Sequence, residues 1–327
     1  MKRILALVIL LALVSSSIGS AAAQERKKSG GVTITPALQQ LVIGGDQASQ
    51  DGSFTVQNDS DQTATFELST IDMGALDDTG GLIFSGLPQD YQKKHGLANW
   101  VELPQTKLDI AAGKVATVSF TIKNNTSLTP GGHYGAIIVK HVLPQGTVSD
   151  TQVSLSPQAA SLLFLLKRGG EIYQLSLQEI KTNHSAWSLP TKVELPFKNE
   201  GNVHVVPRGI VMVKDMQGRE IARGIINPES STVLPERTRT LQVSFNELPK
   251  VVWPGRYTVE VVYRYDGQES ISTFTQPFYT ANLRILVLLA VVVVASLLLV
   301  YKLRKQIRIA ISGLLRLFGR HKHRKIK

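Results

Sequence analysis

Residues 128–139 read LTPGGHYGAIIV, and residues 253–263 read WPGRYTVEVVY. Each stretch holds a Pro-Gly pair, a Tyr shortly after it and a run of strand-forming residues. Proline presets φ near −65° and glycine supplies positive φ, so the pair makes a tight turn. A Tyr at the start of the next strand buries its ring and returns its hydroxyl to the turn backbone. Tyr134 and Tyr257 are therefore expected to be structural corner residues between two packed sheets.

The match spreads outward from these turns. LDIAAGKVATVSFTIKNNTSLTPGGHYGAIIV (108–139) aligns with LPERTRTLQVSFNELPKVVWPGRYTVEVV (234–262). Val-Ser-Phe stands at 118–120 and again at 243–245, ahead of Pro-Gly at 130–131 and 254–255. Further upstream, SFTVQNDSDQTATFEL (53–68) and ELPFKNEGNVHVVPRGIVM (194–212) each end a strand at an Asn, turn through polar residues and start another strand. The copies lie about 125 residues apart, which implies one unit used twice.

That unit is β. Between Val32 and Phe278 almost nothing has helical period. Alternation is clear in KVATVSFTIKN (114–124), where Ala116, Val118, Phe120 and Ile122 form the core face. ASLLFLLKR (160–168) is read as the last strand of the first unit, paired with HYGAIIVKHV across a loop at 143–152. The expected fold is an all-β ectodomain of two tandem immunoglobulin-like β-sandwiches, 32–168 and 171–278. The link between them, Gly169-Gly170, is short, so the two should touch.

The termini have other uses. MKR, then ILALVILLALV, then SSSIGSAAAQ has the layout of a secretory signal (1–23), with cleavage expected after Ala23. QERKKSGG (24–31) is a polar lead-in. Leu283–Tyr301 is almost wholly aliphatic, and its helix would reach about 28 Å, enough for a transmembrane span. Residues 302–327 carry ten Lys or Arg and no Asp or Glu. The formal net charge of +11 is therefore a positive-inside signal and not a nucleic-acid footprint. The stretch 24–283, with 23 basic and 25 acidic residues, is near neutral. The expected layout is single-pass in the cell membrane, N-terminal units outside and the tail cytoplasmic. In that tail Ile307, Ile311, Leu314, Leu315 and Phe318 share one helical face. Arg304, Lys305, Arg308 and Arg316 occupy the remainder, so a short basic helix is expected to contact anionic lipid of the inner leaflet. An exported chain with no Cys points to a bacterial surface protein.

Catalytic signals do not accumulate. The seven His have no tight ligand spacing, and no nucleophile elbow, phosphate loop or dinucleotide fingerprint occurs. No cofactor, no metal and no enzyme activity are expected. One segment is out of proportion for a sandwich loop: MGALDDTGGLIFSGLPQDYQKKHGLANW (73–100). Asp77-Asp78-Thr79-Gly80-Gly81 within it is read as a hairpin turn, and Trp100 as a core plug. Phe84, Tyr91, Lys93, Lys94 and His95 combine aromatic rings with hydrogen-bonding groups, which suits contact with a glycan or a protein surface.

The order of signal, cystine-free sandwich, second sandwich, membrane helix and basic tail resembles the WxL-interacting proteins of Gram-positive bacteria. In the first unit the resemblance rests on FTVQNDSDQTATFEL, DMGALDDTGGLIF, ANWVELP, LDIAAGKVATVSFTI and PGGHYGAIIV. It implies an N-terminal peptidoglycan-binding domain followed by a domain that engages surface protein partners, with no individual binding residue carried over. The functional expectation is a membrane-anchored surface protein that contacts cell-wall glycan or other surface proteins. The alternative is a membrane-tethered, chaperone-like assembly factor that offers an edge strand to exported proteins.

Overall fold

Strands take up about half of the described residues ahead of residue 283 in the computed structural model, which describes residues 31–142, 156–185, 187–245, 247–249 and 251–321, the last of these as backbone alone over 310 and 312–321. The expected cleavage at Ala23, most of the 24–31 lead-in and the 143–152 loop lie outside the described residues.

The first half contains β1 (Val32–Thr35), β2 (Leu38–Ile43), β3 (Ser49–Asn58), β4 (Ala64–Asp72), the short hairpin β5 (Gly74–Ala75) and β6 (Leu82–Ile83), helix α1 (Gln89–His95), β7 (Val101–Glu102), β8 (Lys107–Ile110), β9 (Val115–Lys123), β10 (Gly131–Val142) and β11 (Gln158–Lys167). One sheet has the order β1-β3-β9-β7 and the other β2-β11-β10-β4-β8. The second half contains β12 (Leu175–Leu177), β13 (Lys181–Thr182), β14 (Lys192–Asn199), β15 (Arg208–Lys214), β16 (Glu220–Ile226), β17 (Thr238–Ser244), β18 (Gly255–Arg264) and β19 (Ser272–Thr280). Here β14 is flanked by β12 and β13 and also pairs with β17, and the facing sheet runs β16-β15-β18-β19.

The two halves repeat one plan. The Pro-Gly turns open β10 and β18, the strands that sit between β11 and β4 and between β19 and β15. Gly131 and Gly255 both take positive φ, at 127° and 155°. The Val-Ser-Phe strands β9 and β17 pair with β3 and β14. In each half the two sheets close on one apolar core. Phe54, Val118, Phe120 and Ile122 meet Phe66, Ile137 and Leu163 in the first. Phe197 and Val243 meet Val211, Val259 and Val261 in the second. Alternation along each strand delivers these side chains inward.

The Asn that ends β3 and the Asn that ends β14 do the same work. Asn58 is fully buried; its Nδ2 donates to Gln62 O and Ile110 O at 2.8 Å each, and its Oδ1 accepts from Ser60 N–H. Asn199, also fully buried, donates to Val203 O at 2.8 Å and Val233 O at 2.9 Å and accepts from Gly201 N–H. Each amide joins strand ends that the sheet ladders leave apart, and every donor and acceptor is used.

Past β19 comes α2 (Leu283–His321), a single helix of 39 residues. Its stretch Leu283–Ile309 is long and apolar enough to cross a membrane, and the most apolar 18-residue window within it, of mean hydropathy 3.0, has no part buried in the protein. The sequence reading expected a span and then a separate basic helix. Nothing separates them, because KLRKQIRIAIS (302–312) contains no Gly or Pro and is rich in strong helix formers. Arg304, Lys305 and Arg308 are exposed within the first two turns past Tyr301. At 1.5 Å per residue Arg316 stands about 22 Å past Tyr301 along the same axis.

Candidate functional site

The long 73–100 segment is a closed excursion from the end of β4. Asp72 pins it: its Oδ1 accepts from Leu97 N–H and Ala98 N–H, both at 2.8 Å. Between these points the chain makes the β5–β6 hairpin, α1 and a 3-10 turn at Ala98–Trp100. Trp100 packs half-buried against the first core, as the plug reading expects.

The excursion lies across the seam between the halves. Met73, Tyr134, Phe164 and Leu234 form a small buried cluster there, with Phe84 packed against it. Tyr91 is buried, and the Arg237 guanidinium lies 4.8 Å from its ring centroid, a cation–π contact. Lys94 Nζ pairs with Glu236 Oε1 at 2.7 Å. His95 is buried between Tyr91, whose ring centroid is 5.0 Å away, and Gly132 O, 2.9 Å from its Nδ1. Asp78 in the hairpin accepts from Thr240 N–H at 2.6 Å and from Thr240 Oγ1 at 2.9 Å. Of the five candidate contact residues, then, Phe84, Tyr91, Lys94 and His95 face the second half, and Lys93 is exposed on α1.

The linker is held as well. Asn202 O accepts from Gly132 N–H at 2.8 Å, its Oδ1 from Ile172 N–H at 2.7 Å, and its Nδ2 donates to Gly170 O at 2.8 Å.

Tyr134 and Tyr257 part company. Tyr257 is in the second core, and its hydroxyl donates to Trp253 O at 2.9 Å, the carbonyl ahead of Pro254. That is the expected corner. Tyr134 is fully buried, but its hydroxyl goes to the second half: it accepts from His204 N–H at 2.8 Å and lies 3.1 Å from His204 Nδ1. The reason is spacing. Tyr257 is three residues past its Pro and Tyr134 is four past its own, and one residue along a strand reverses the face. The position matching Tyr257 is His133. Its Nε2 lies 2.7 Å from Thr129 O, the carbonyl ahead of Pro130, and its Nδ1 3.2 Å from Gly96 O. The residue matching Val259 is accordingly Gly135. Tyr134 comes so close to its own turn that a Cβ on Gly132 would stand 2.1 Å from the Tyr134 hydroxyl, so only glycine fits.

Burial governs the electrostatics. It pushes the imidazoles of His95, His133 and His204 below the ordinary histidine range, with nearby carbonyls or carboxylates offsetting part of the effect. It pushes the Tyr91 and Tyr134 hydroxyls up. His95 Nε2 stands 4.0 Å from Glu236 Oε1. A separate void at the seam, lined by Asp77, Phe164, Leu234, Arg237 and Arg239 among others, is only about 40 Å³, room for about one water. Among the described residues no group of three His, Asp or Glu is placed to hold a metal. The seam is built to clamp two halves. His133, His204, Asn202, Glu236 and Arg237 were not singled out from the sequence; the Pro-to-Tyr spacing was the available signal for the first of them.

The seam leaves open the edge of the five-stranded sheet. β2 is outermost and runs parallel to β11 over Leu162–Lys167. Among the described residues no strand pairs with Gln158–Ala160 on the side away from β10. Leu38, at the end of β2 nearest that gap, is exposed, and so is Val42 further along the same edge, opposite Leu166.

No protein-family model matches the chain, and no curated protein matches it. Solved structures of similar fold include a chain of a chaperone–tip adhesin complex of CFA/I fimbriae biogenesis, 14% identical, covering 77% of this chain and 100% of that one, with a TM-score of 0.43. The class 5 fimbriae chaperone CfaA is 15% identical, covering 77% of this chain and 99% of that one, with a TM-score of 0.42. The Pseudomonas aeruginosa CupB2 chaperone is 11% identical, covering 75% and 99%, with a TM-score of 0.32. These are distant likenesses, and what those proteins assemble with is said of them alone.

Proposed function

We propose that the chain is a non-catalytic, membrane-tethered assembly factor: two tandem immunoglobulin-like sandwiches, held at the surface by α2, that dock exported protein partners by adding a strand to the open edge beside β11. In this reading residues 1–23 are a removed signal, Leu283–Tyr301 spans the bilayer, and residues 302–327 are cytoplasmic. The observation that carries it is that, among the described residues, no strand pairs with Gln158–Ala160 on the side away from β10, next to the exposed Leu38 that opens β2. An open strand edge presents unmet N–H and C=O groups and is a template for an incoming strand. Further support is that four of the five loop residues first read as ligand contacts are engaged at the seam. Membership of a WxL-interacting-type surface system fits a partner that is itself an exported protein. Photo-crosslinkers placed at Leu38 and Val42 of the full chain, in the producing cell, test this. Crosslinks to exported proteins at these positions, and not at Lys93, are expected. Silence at the edge, with retention of the chain on purified peptidoglycan, would return the function to glycan binding.

A further inference from the structure

The end of the second half from which α2 leaves is unlike the rest of its surface. Four chain segments meet there. β14 begins at Lys192 opposite Ser244, where β17 stops. β15 ends at Lys214 opposite Thr258, near the start of β18. Gly255, the first residue of β18, is opposite Thr280, the last of β19. Three residues later α2 begins.

Two of the chain's three Trp lie at this end, and both are turned outward: Trp187 is 54% exposed and Trp253 57%. Tyr279, one residue from the end of β19, is 69% exposed, and Met216 in the β15–β16 turn 62%. Trp187 lines a groove with Asn282, Leu283 and Arg284, the first residues of the helix. Trp253 lines another with Met216, Asp215 and Arg219. The helix start is tied to the same loop, because Asn282 Nδ2 donates to Val252 O at 3.2 Å and Thr280 Oγ1 to Trp253 O at 3.0 Å.

Chain length sets where this surface stands. Thr280 and Leu283 are three Cα steps apart, at most about 10 Å. The headgroup layer on each side of a bilayer is roughly 5–8 Å thick. If α2 enters the hydrocarbon at Leu283, the end of β19 is in or against that layer, and so are the loops beside it. Exposed Trp and Tyr, with an apolar body and one polar tip, are the side chains that favour this zone. Of the charges there, Asp215 is paired with Arg219 at 2.8 Å.

We propose that this end of the second half is a bilayer seat, with Trp187, Trp253 and Tyr279 inserted in the headgroup layer of the leaflet that α2 enters. The sandwich rests on the membrane instead of hanging from a free tether, and the rigid seam then fixes the first half above it. The proposal depends on α2 being a membrane span, and the test separates the two. The full chain is reconstituted in phosphatidylcholine vesicles with and without bromine on the upper acyl carbons, and Trp emission is compared. The wild type is expected to lose roughly half its emission to bromine, because two of its three Trp are interfacial. The Trp187→Phe/Trp253→Phe variant, which keeps only Trp100, should lose almost none. Wild-type emission unaffected by bromine, in chain that an alkaline wash leaves in the vesicles, overturns the seat and spares the span. Chain removed by that wash overturns both. Trp187 and Trp253 shielded from acrylamide but not quenched by bromine would mean that a protein surface covers this end, and would equally overturn the proposal.

Discussion

In the second half, the residue three past the turn proline is Tyr257, which lies in its own core and donates to the carbonyl ahead of that proline. In the first half the same place belongs to His133, whose ring reaches the equivalent carbonyl of Thr129. One extra residue between Pro130 and its Tyr moves the aromatic side chain to the opposite face of β10. There Tyr134 meets Phe164 edge-on at 5.1 Å and bonds His204 across the seam. The same turn therefore closes a core in one copy and joins two copies in the other. Strand period, not composition, decides which face is served.

The largest effects should test whether the copies are equivalent where they look so. Asn58→Ala and Asn199→Ala each strand two buried carbonyls and an N–H, and each should cost about 3 kcal/mol in urea unfolding of the full chain in detergent. Losses that differ by more than twofold would break the equivalence of the two strand ends.

The tyrosines should differ. Tyr134→Phe leaves His204 N–H without its acceptor in a buried seam, at about 2 kcal/mol, and should separate one unfolding transition into two. Tyr257→Phe removes a single bond at the rim of a core, at about 1 kcal/mol, and should leave the number of transitions unchanged. Equal behaviour of the two variants would erase the distinction drawn above.

Acid should act on the seam before it acts on the second corner. Burial depresses the imidazoles of His95, His133 and His204, so the unfolded chain takes up protons first as pH falls. Their contribution is complete above the ordinary histidine value of about 6.5 and is lost progressively below it. Glu236, Lys94 and Arg237 face His95; Lys167 and His95 face His133; Asp266 faces His204. Relative to the intrinsic exchange rate at each pH, protection of the Gly132 and His204 amides should fall between pH 7 and pH 5 while protection around Tyr257 stays flat. Uniform exchange across the chain would sink this.

The smallest effect belongs to Lys94→Ala. Its ion pair with Glu236 is exposed on both sides, so the change should be barely measurable at low salt and vanish at high salt. A large loss would mean that α1 is held to the second half by charge and not by the packing of Tyr91 under Arg237.

Much of the fold was legible because strand patterns are local. Val118, Phe120 and Ile122 read as a core face and are one, and ASLLFLLKR pairs with HYGAIIVKHV as its length and composition suggested. The site was less legible. Phe84, Tyr91, Lys94 and His95 looked like ligand contacts because rings beside polar groups suit a glycan and a second sandwich equally well. Only coordinates place Glu236, Arg237 and Leu234 opposite them. The corner was misassigned by one residue because both Tyr follow a Pro-Gly pair, and the eye aligns the ring before counting the spacing.

By itself the sequence determined the β class, the doubled plan and the apolar helix, since each is written in neighbouring residues as period, turn chemistry or length. Tertiary structure alone decided that the 73–100 segment clamps the halves, that the Tyr134 hydroxyl meets His204, and that two Trp gather where the helix departs. Those facts join residues some 40 to 160 positions apart, and no local pattern encodes which distant side chain will fill a given face.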